Sequence, residues 1–127
     1  MTSREPRVMI LGNDSVLRGV LLRRFEQEGW EGEEALRAED VERRAVQFAP
    51  HVVVVSLPSE DDVLFLLRRW HILPPLARVR VIVEIHMLAP LKSEELLRAG
   101  ASAVFLRGHY TPQDIVRRAA QDIKEQS

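Results

Sequence analysis

Ser56 ends the run His51-Val-Val-Val-Val-Ser56 and brings a hydroxyl to the point where a buried strand would emerge into solvent. Four consecutive β-branched residues with no polar alternation suit a strand covered by helices on both faces, and sites in open parallel sheets lie just beyond such strand ends. Other segments deliver reactive groups to comparable points. Gly12-Asn13-Asp14 follows the apolar Arg7-Val-Met-Ile-Leu11, Glu84 interrupts the apolar run Val79 to Ile85, and Arg107 closes Ala103-Val-Phe-Leu-Arg107. A serine hydroxyl becomes a nucleophile only beside a base, and no histidine or lysine is placed for that by sequence, so a small polar strand end is the plainer role and a phosphorylatable serine the alternative. Asp14 suits the cap or first turn of a following helix, where free amides and the dipole favour a carboxylate, or else a displaced acidic site. Glu60-Asp61-Asp62 likewise suits a helix N-terminus, with metal binding as the other reading. Glu84 is the oddest residue of the candidate core, because a buried carboxylate is costly unless paired or protonated; water at the strand tip or His86 could serve it. Arg107 needs an anionic partner, either Asp14, Asp61 or Asp62 within the chain or a bound anion, and the internal pair is the favoured expectation.

The elements that must hold these groups follow from periodicity and punctuation. Arg7 to Leu11 reads as a strand, followed by a helix with Val16, Leu17, Val20, Leu21 and Phe25 on one stripe and Gly29 as its stop. A poorly marked strand spans Glu33 to Leu36, a helix Glu39 to Phe48, and a strand Val52 to Val55 after Pro50. Asp62 to Trp70 is a third helix, and Ile72-Leu-Pro-Pro-Leu76 an irregular connection that caps the core or offers an apolar patch to a partner. Val79 to Ile85 makes a fourth strand, Ser93 to Arg98 a short helix before Gly100, Ala103 to Leu106 a fifth strand, and Thr111 or Pro112 opens a last helix reaching about Lys124. Strands alternating with helices cannot be joined by hairpins, so the expected product is an α/β fold with a parallel sheet, right-handed crossovers and helices on both faces.

With 127 residues, 46% of them hydrophobic, the chain supports one core, and a single domain over residues 1–127 is expected. The net charge of −1, spread along the chain, provides no basic footprint, so direct nucleic-acid binding is not expected, and the four Arg-Arg pairs on separate helices read as solvated faces. The absence of cysteine excludes disulfides, thiolate metal sites and cysteine nucleophiles. His71, His86 and His109 fall on separate segments and suggest no metal cluster. The start Met1-Thr-Ser-Arg4 lacks the apolar run of a signal peptide and no stretch reaches the roughly 20 apolar residues of a membrane span, so a cytoplasmic protein without membrane contact is expected. Gly12 and Gly19 lack the further spacing of a dinucleotide-binding turn.

Ala99-Gly-Ala-Ser102 leading into Ala103-Val-Phe-Leu-Arg107, and Thr111-Pro-Gln-Asp-Ile115 after it, combined with the Val-Met-Ile-Leu and Val-Val-Val-Val runs, resemble a response-regulator receiver domain of the CheY-like family from about Arg7 to Lys124. The resemblance implies a three-layer, doubly wound, five-stranded parallel sheet of flavodoxin/CheY-like type with strand order 2-1-3-4-5. It also implies a pocket in which two acidic residues and a phosphoacceptor aspartate hold Mg²⁺. At the matching positions this chain has Gly12, Asn13 and Ser56, with Asp14 following; Ile85 stands where the family has a hydroxyl residue, or Glu84 does if the alignment shifts by one residue. Val104 replaces a frequent aromatic and Arg107 a lysine. Mg²⁺ favours carboxylate and water oxygens, so this set makes a poor site, and no metal, cofactor or catalysis is expected.

The resulting expectation is a degenerate receiver lacking its phosphoacceptor aspartate and acting as a phosphorylation-independent signalling module through a protein partner. Family resemblance points to the fourth helix, fifth strand and fifth helix as its contact or homodimer face, with Lys92, Glu95, Arg98, Val104, Arg107 and Tyr110 as candidates. The alternative is an active receiver with an unconventional Mg²⁺-dependent site using Asp14 and Asp61 or Asp62.

Overall fold

The computed structural model describes residues 5–87 and 89–125; the N-terminal Met1 to Arg4 segment considered for a signal peptide lies outside them. In chain order the elements are β1 (Arg7–Gly12), α1 (Ser15–Gln27), β2 (Glu31–Ala35), α2 (Ala38–Phe48), β3 (Val52–Ser56), α3 (Glu60–His71), β4 (Arg80–Ile85), α4 (Pro90–Arg98), β5 (Ala101–Leu106) and α5 (Pro112–Glu125). The strands form one parallel sheet in the order β2-β1-β3-β4-β5. This is the expected doubly wound, three-layer architecture.

Strand alternation divides the core into two apolar bodies. On one face Met9, Leu11, Val53, Val55, Val83 and Ile85 pack with Val41 and Ala45 of α2, Leu67 and Trp70 of α3, and Leu96 of α4. On the other, Val8, Ile10, Val52, Val54 and Ile82 meet Leu21 and Phe25 of α1 and Ile115, Val116 and Ala119 of α5. The valines of β3 are all buried because they serve both faces.

Several boundaries differ from those expected. β2 begins earlier and ends before Leu36, which is exposed; as an edge strand of sequence Glu-Gly-Glu-Glu-Ala it needs little apolar patterning, and its charges discourage further strand pairing. α4 starts at Pro90, which tolerates a first-turn position because its missing N–H would have no partner there. β5 starts at Ala101, its pairing interrupted by an irregularity opposite Val81 and Ile82. The α1 stripe is rotated: Leu21 and Phe25 are buried, whereas Val16 and Val20 face outward. Trp70 in the last turn of α3 and Leu76 in the proline-rich connection close the base of the core, and Ile72 projects into solvent.

Candidate functional site

Parallel register brings one residue from each inner strand into a row at the sheet's C-terminal edge. Gly12 lies beside Ser56, Ser56 beside Glu84, and Glu84 beside Phe105. Counting by two from the buried Ile10, Val54 and Ile82 puts Gly12, Ser56 and Glu84 on the face covered by α1 and α5. Glu84 is 1% exposed, and its carboxylate is the centre of the cluster. Oε1 accepts from the Ser56 hydroxyl at 2.6 Å and from Arg107 Nη2 at 3.1 Å, and Oε2 accepts from the Tyr110 hydroxyl. Arg107 Nη2 is also 3.4 Å from Ser56 Oγ and 4.0 Å from Asp14 Oδ2. His86 Nε2 stands 3.3 Å from Ser56 Oγ and 3.6 Å from Glu84 Oε1. The structure therefore sets a histidine ring nitrogen beside Ser56, a neighbour the sequence did not place there, with the direction of that contact following the ring tautomer. Burial first, then the hydrogen bond and charge of Glu84, raise the Tyr110 phenol above its ordinary pKa and keep it a donor.

Of the two fourth-strand alternatives for this pocket, Ile85 and, with a one-residue shift, Glu84, the structure brings Glu84 and not Ile85 to it. The Ile85 side chain belongs to the opposite core face with Val83, while Glu84 points at Ser56. A shift of one residue along a strand reverses the face, which is why two adjacent positions differ so completely. Arg107 does form an internal ion pair, but its principal partner is Glu84, with Asp14 a more distant second; Asp61 is paired with Lys92 at 2.8 Å instead. That contact holds the Asp61 carboxyl below its usual range. Tyr110, weighed in sequence only as a surface residue, is the missed member of the cluster. Its signal was proximity to Arg107 just after a strand.

Asp14 caps α1: its Oδ1 accepts from the amides of Val16 and Leu17, each at 3.1 Å. Ser59 caps α3 through the Asp62 amide, so Glu60, Asp61 and Asp62 occupy that helix's first turn. Asn13 is exposed. Gly12 is distinctive for its backbone. A Cβ there would lie 2.9 Å from the Ser56 carbonyl oxygen, so β1 approaches β3 where a side chain does not fit without movement.

This donor chemistry does not suit the Mg²⁺ that a receiver pocket would imply. Both Glu84 oxygens already accept hydrogen bonds, one Asp14 oxygen is committed to the helix cap, and a guanidinium reaches toward both carboxylates. A divalent cation would have to displace Arg107 against like-charge repulsion. Among the described residues no group of three or more His, Cys, Asp or Glu forms a potential metal centre.

The candidate contact face is uneven. Lys92 bridges Asp61 and Glu95, and Arg98 is exposed with Glu94 at 4.0 Å. Val104 packs against the α2–α4 core face, and Tyr110 leans on Phe105 with ring centroids 5.7 Å apart. Val104 and Tyr110 therefore direct much of their side chains inward, and Arg107 turns its guanidinium toward the buried Glu84.

No protein-family model matches the sequence, and no curated protein is significantly similar to it. Solved structures are similar throughout. A response regulator from Thermotoga maritima superposes with a TM-score of 0.84 at 16% identity, covering 95% of this chain and 99% of that one. A CheY-like response regulator receiver domain protein from Methanospirillum hungatei JF-1 gives 0.80 at 22% identity, covering 97% of each. A Francisella response regulator receiver domain gives 0.81 at 17% identity, covering 97% and 100%. Strand order, helix placement and these superpositions together give the chain the CheY-like receiver fold.

Proposed function

We propose that residues 1–127 form one receiver-like signalling domain that works by protein contact without being phosphorylated, in the cytoplasm and without direct nucleic-acid or membrane binding. The observation that carries this reading is the Glu84–Arg107 pair over Ser56. In the receiver resemblance, an acidic pair, an acceptor aspartate and a free lysine cooperate; here the matching strand ends carry Gly12, Asn13 and Ser56, and the cation is already neutralised. Ser56 is a poor substitute nucleophile, because it is 3% exposed and its proton points to a carboxylate that also holds Arg107 and Tyr110. Fold by itself does not define activity, so the reading rests on these side chains. The α4–β5–α5 face is the proposed contact or homodimer surface, with Lys92, Glu95 and Arg98 its outward charges. Among the described residues no helix is long and apolar enough to cross a membrane.

The test is incubation with Mg²⁺ and acetyl phosphate followed by intact-mass measurement. The expected spectrum shows the unmodified chain alone, and a stoichiometric phosphoryl adduct would overturn the proposal. Such an adduct lost on Asp14→Asn would point instead to the alternative built from Asp14 and Asp61 or Asp62.

A further inference from the structure

Glu84 does more than neutralise Arg107, because its two oxygens connect three chain segments. Ser56 donates from the end of β3, Arg107 from the end of β5, and Tyr110 from the turn beyond. That turn contains Gly108 at φ +83° and is anchored to β4 by the Arg107 amide on the Ile85 carbonyl. It runs directly into the Thr111–Asp114 cap, where the Thr111 amide donates to Asp114 Oδ2 and the Asp114 amide to Thr111 Oγ1. A hydroxyl, a phenol and a guanidinium converging on one point form an oxyanion cradle, and anions bind where such donors are held in advance. Here the anion is covalently part of β4.

We propose that Glu84 is a resident internal ligand of this cradle, taking the place of a free oxyanion and latching the Arg107–Tyr110 turn, and with it the start of α5, in one fixed arrangement. The proposal rests on the phosphorylation-independent reading and supplies its physical basis: the surface at the β5–α5 junction is held by the chain's own carboxylate. Free oxyanions are excluded because their site and its donors are occupied. A single occupied state has few local openings, so the turn's amides should exchange slowly.

Hydrogen exchange on the full chain tests the latch, with inorganic phosphate as the probe. Glu84→Ala is expected to speed exchange across residues 107–112 by about tenfold while the β1 and β3 amides stay protected. Phosphate should slow that exchange again in Glu84→Ala, but not in Glu84→Ala/Arg107→Ala, which separates site binding from general salt stabilisation. Wild-type exchange should be indifferent to phosphate. Unchanged turn exchange in Glu84→Ala, or an equal phosphate effect in both variants, would overturn the latch. Should Glu84→Ala not fold, Glu84→Gln keeps the volume and deletes the charge; it must still accelerate the turn, and unchanged rates there also refute the proposal. A phosphoryl adduct on wild type defeats the functional reading, whereas a failed exchange result defeats only the latch.

Discussion

Ser56 and Glu84 define each other's chemistry. The hydroxyl supplies a proton to a carboxylate that would otherwise be buried with fewer donors, and the carboxylate prevents the serine from acting as an independent group. Ser56→Asp would therefore place two carboxylates side by side beneath one guanidinium. We expect a loss of about 2 kcal/mol in urea-measured stability. Glu84→Gln in the same chain should recover at least about 1 kcal/mol of that loss, a coupling that a double-mutant cycle reads directly; additive effects would contradict the contact. The sequence marked Glu84 as anomalous and Ser56 as pivotal, but could not join them. Deciding between Glu84 and Ile85 required strand register, and finding Tyr110 required knowing that a turn folds back over the sheet edge.

Helix α1 illustrates how an element uses a residue that looks catalytic when read alone. Asp14 lies where the sequence allows either a metal-binding carboxylate or a cap, and its contacts with the Val16 and Leu17 amides give it the capping geometry. Asp14→Ala should lower stability by about 1 kcal/mol in thermal or urea unfolding, while Asp14→Asn, which keeps an accepting oxygen, should cost a few tenths of that. A large loss in the asparagine variant would shift emphasis from the cap to charge pairing with Arg107. Legibility varied with burial. β3 and the amphipathic α5 were readable because they meet large apolar surfaces, whereas β2 lies at the sheet edge and satisfies its backbone through β1 with little help from side chains. The α1 stripe was rotated because Val16 and Val20 match helical periodicity without facing the core.

Across the molecule, the sheet's two ends carry different electrostatic devices. The C-terminal edge holds the Glu84 cluster; at the other, His51 Nδ1 accepts the Arg7 amide at 3.0 Å, tying β3 to β1. Burial first, and then the charge of Arg7, lower the His51 pKa from its ordinary 6.5. The unfolded chain therefore binds the His51 proton more readily than the folded one. This contribution to stability is intact above about pH 6.5 and declines as pH falls toward the depressed folded-state value, where it levels off. Urea unfolding at pH 7.5 and 5.5 should show this loss, and His51→Asn, which retains an acceptor without titrating, should reduce the difference; an undiminished difference would assign the effect elsewhere. The overall architecture was legible because alternating strands and helices permit few packings, while the site depended on side-chain directions that periodicity leaves open. The close passage of Gly12 beside the Ser56 carbonyl also limits what can be built at this sheet edge. Any side chain at position 12 would meet backbone at 2.9 Å, so a carboxylate could be introduced there only together with a shift of the neighbouring strand end.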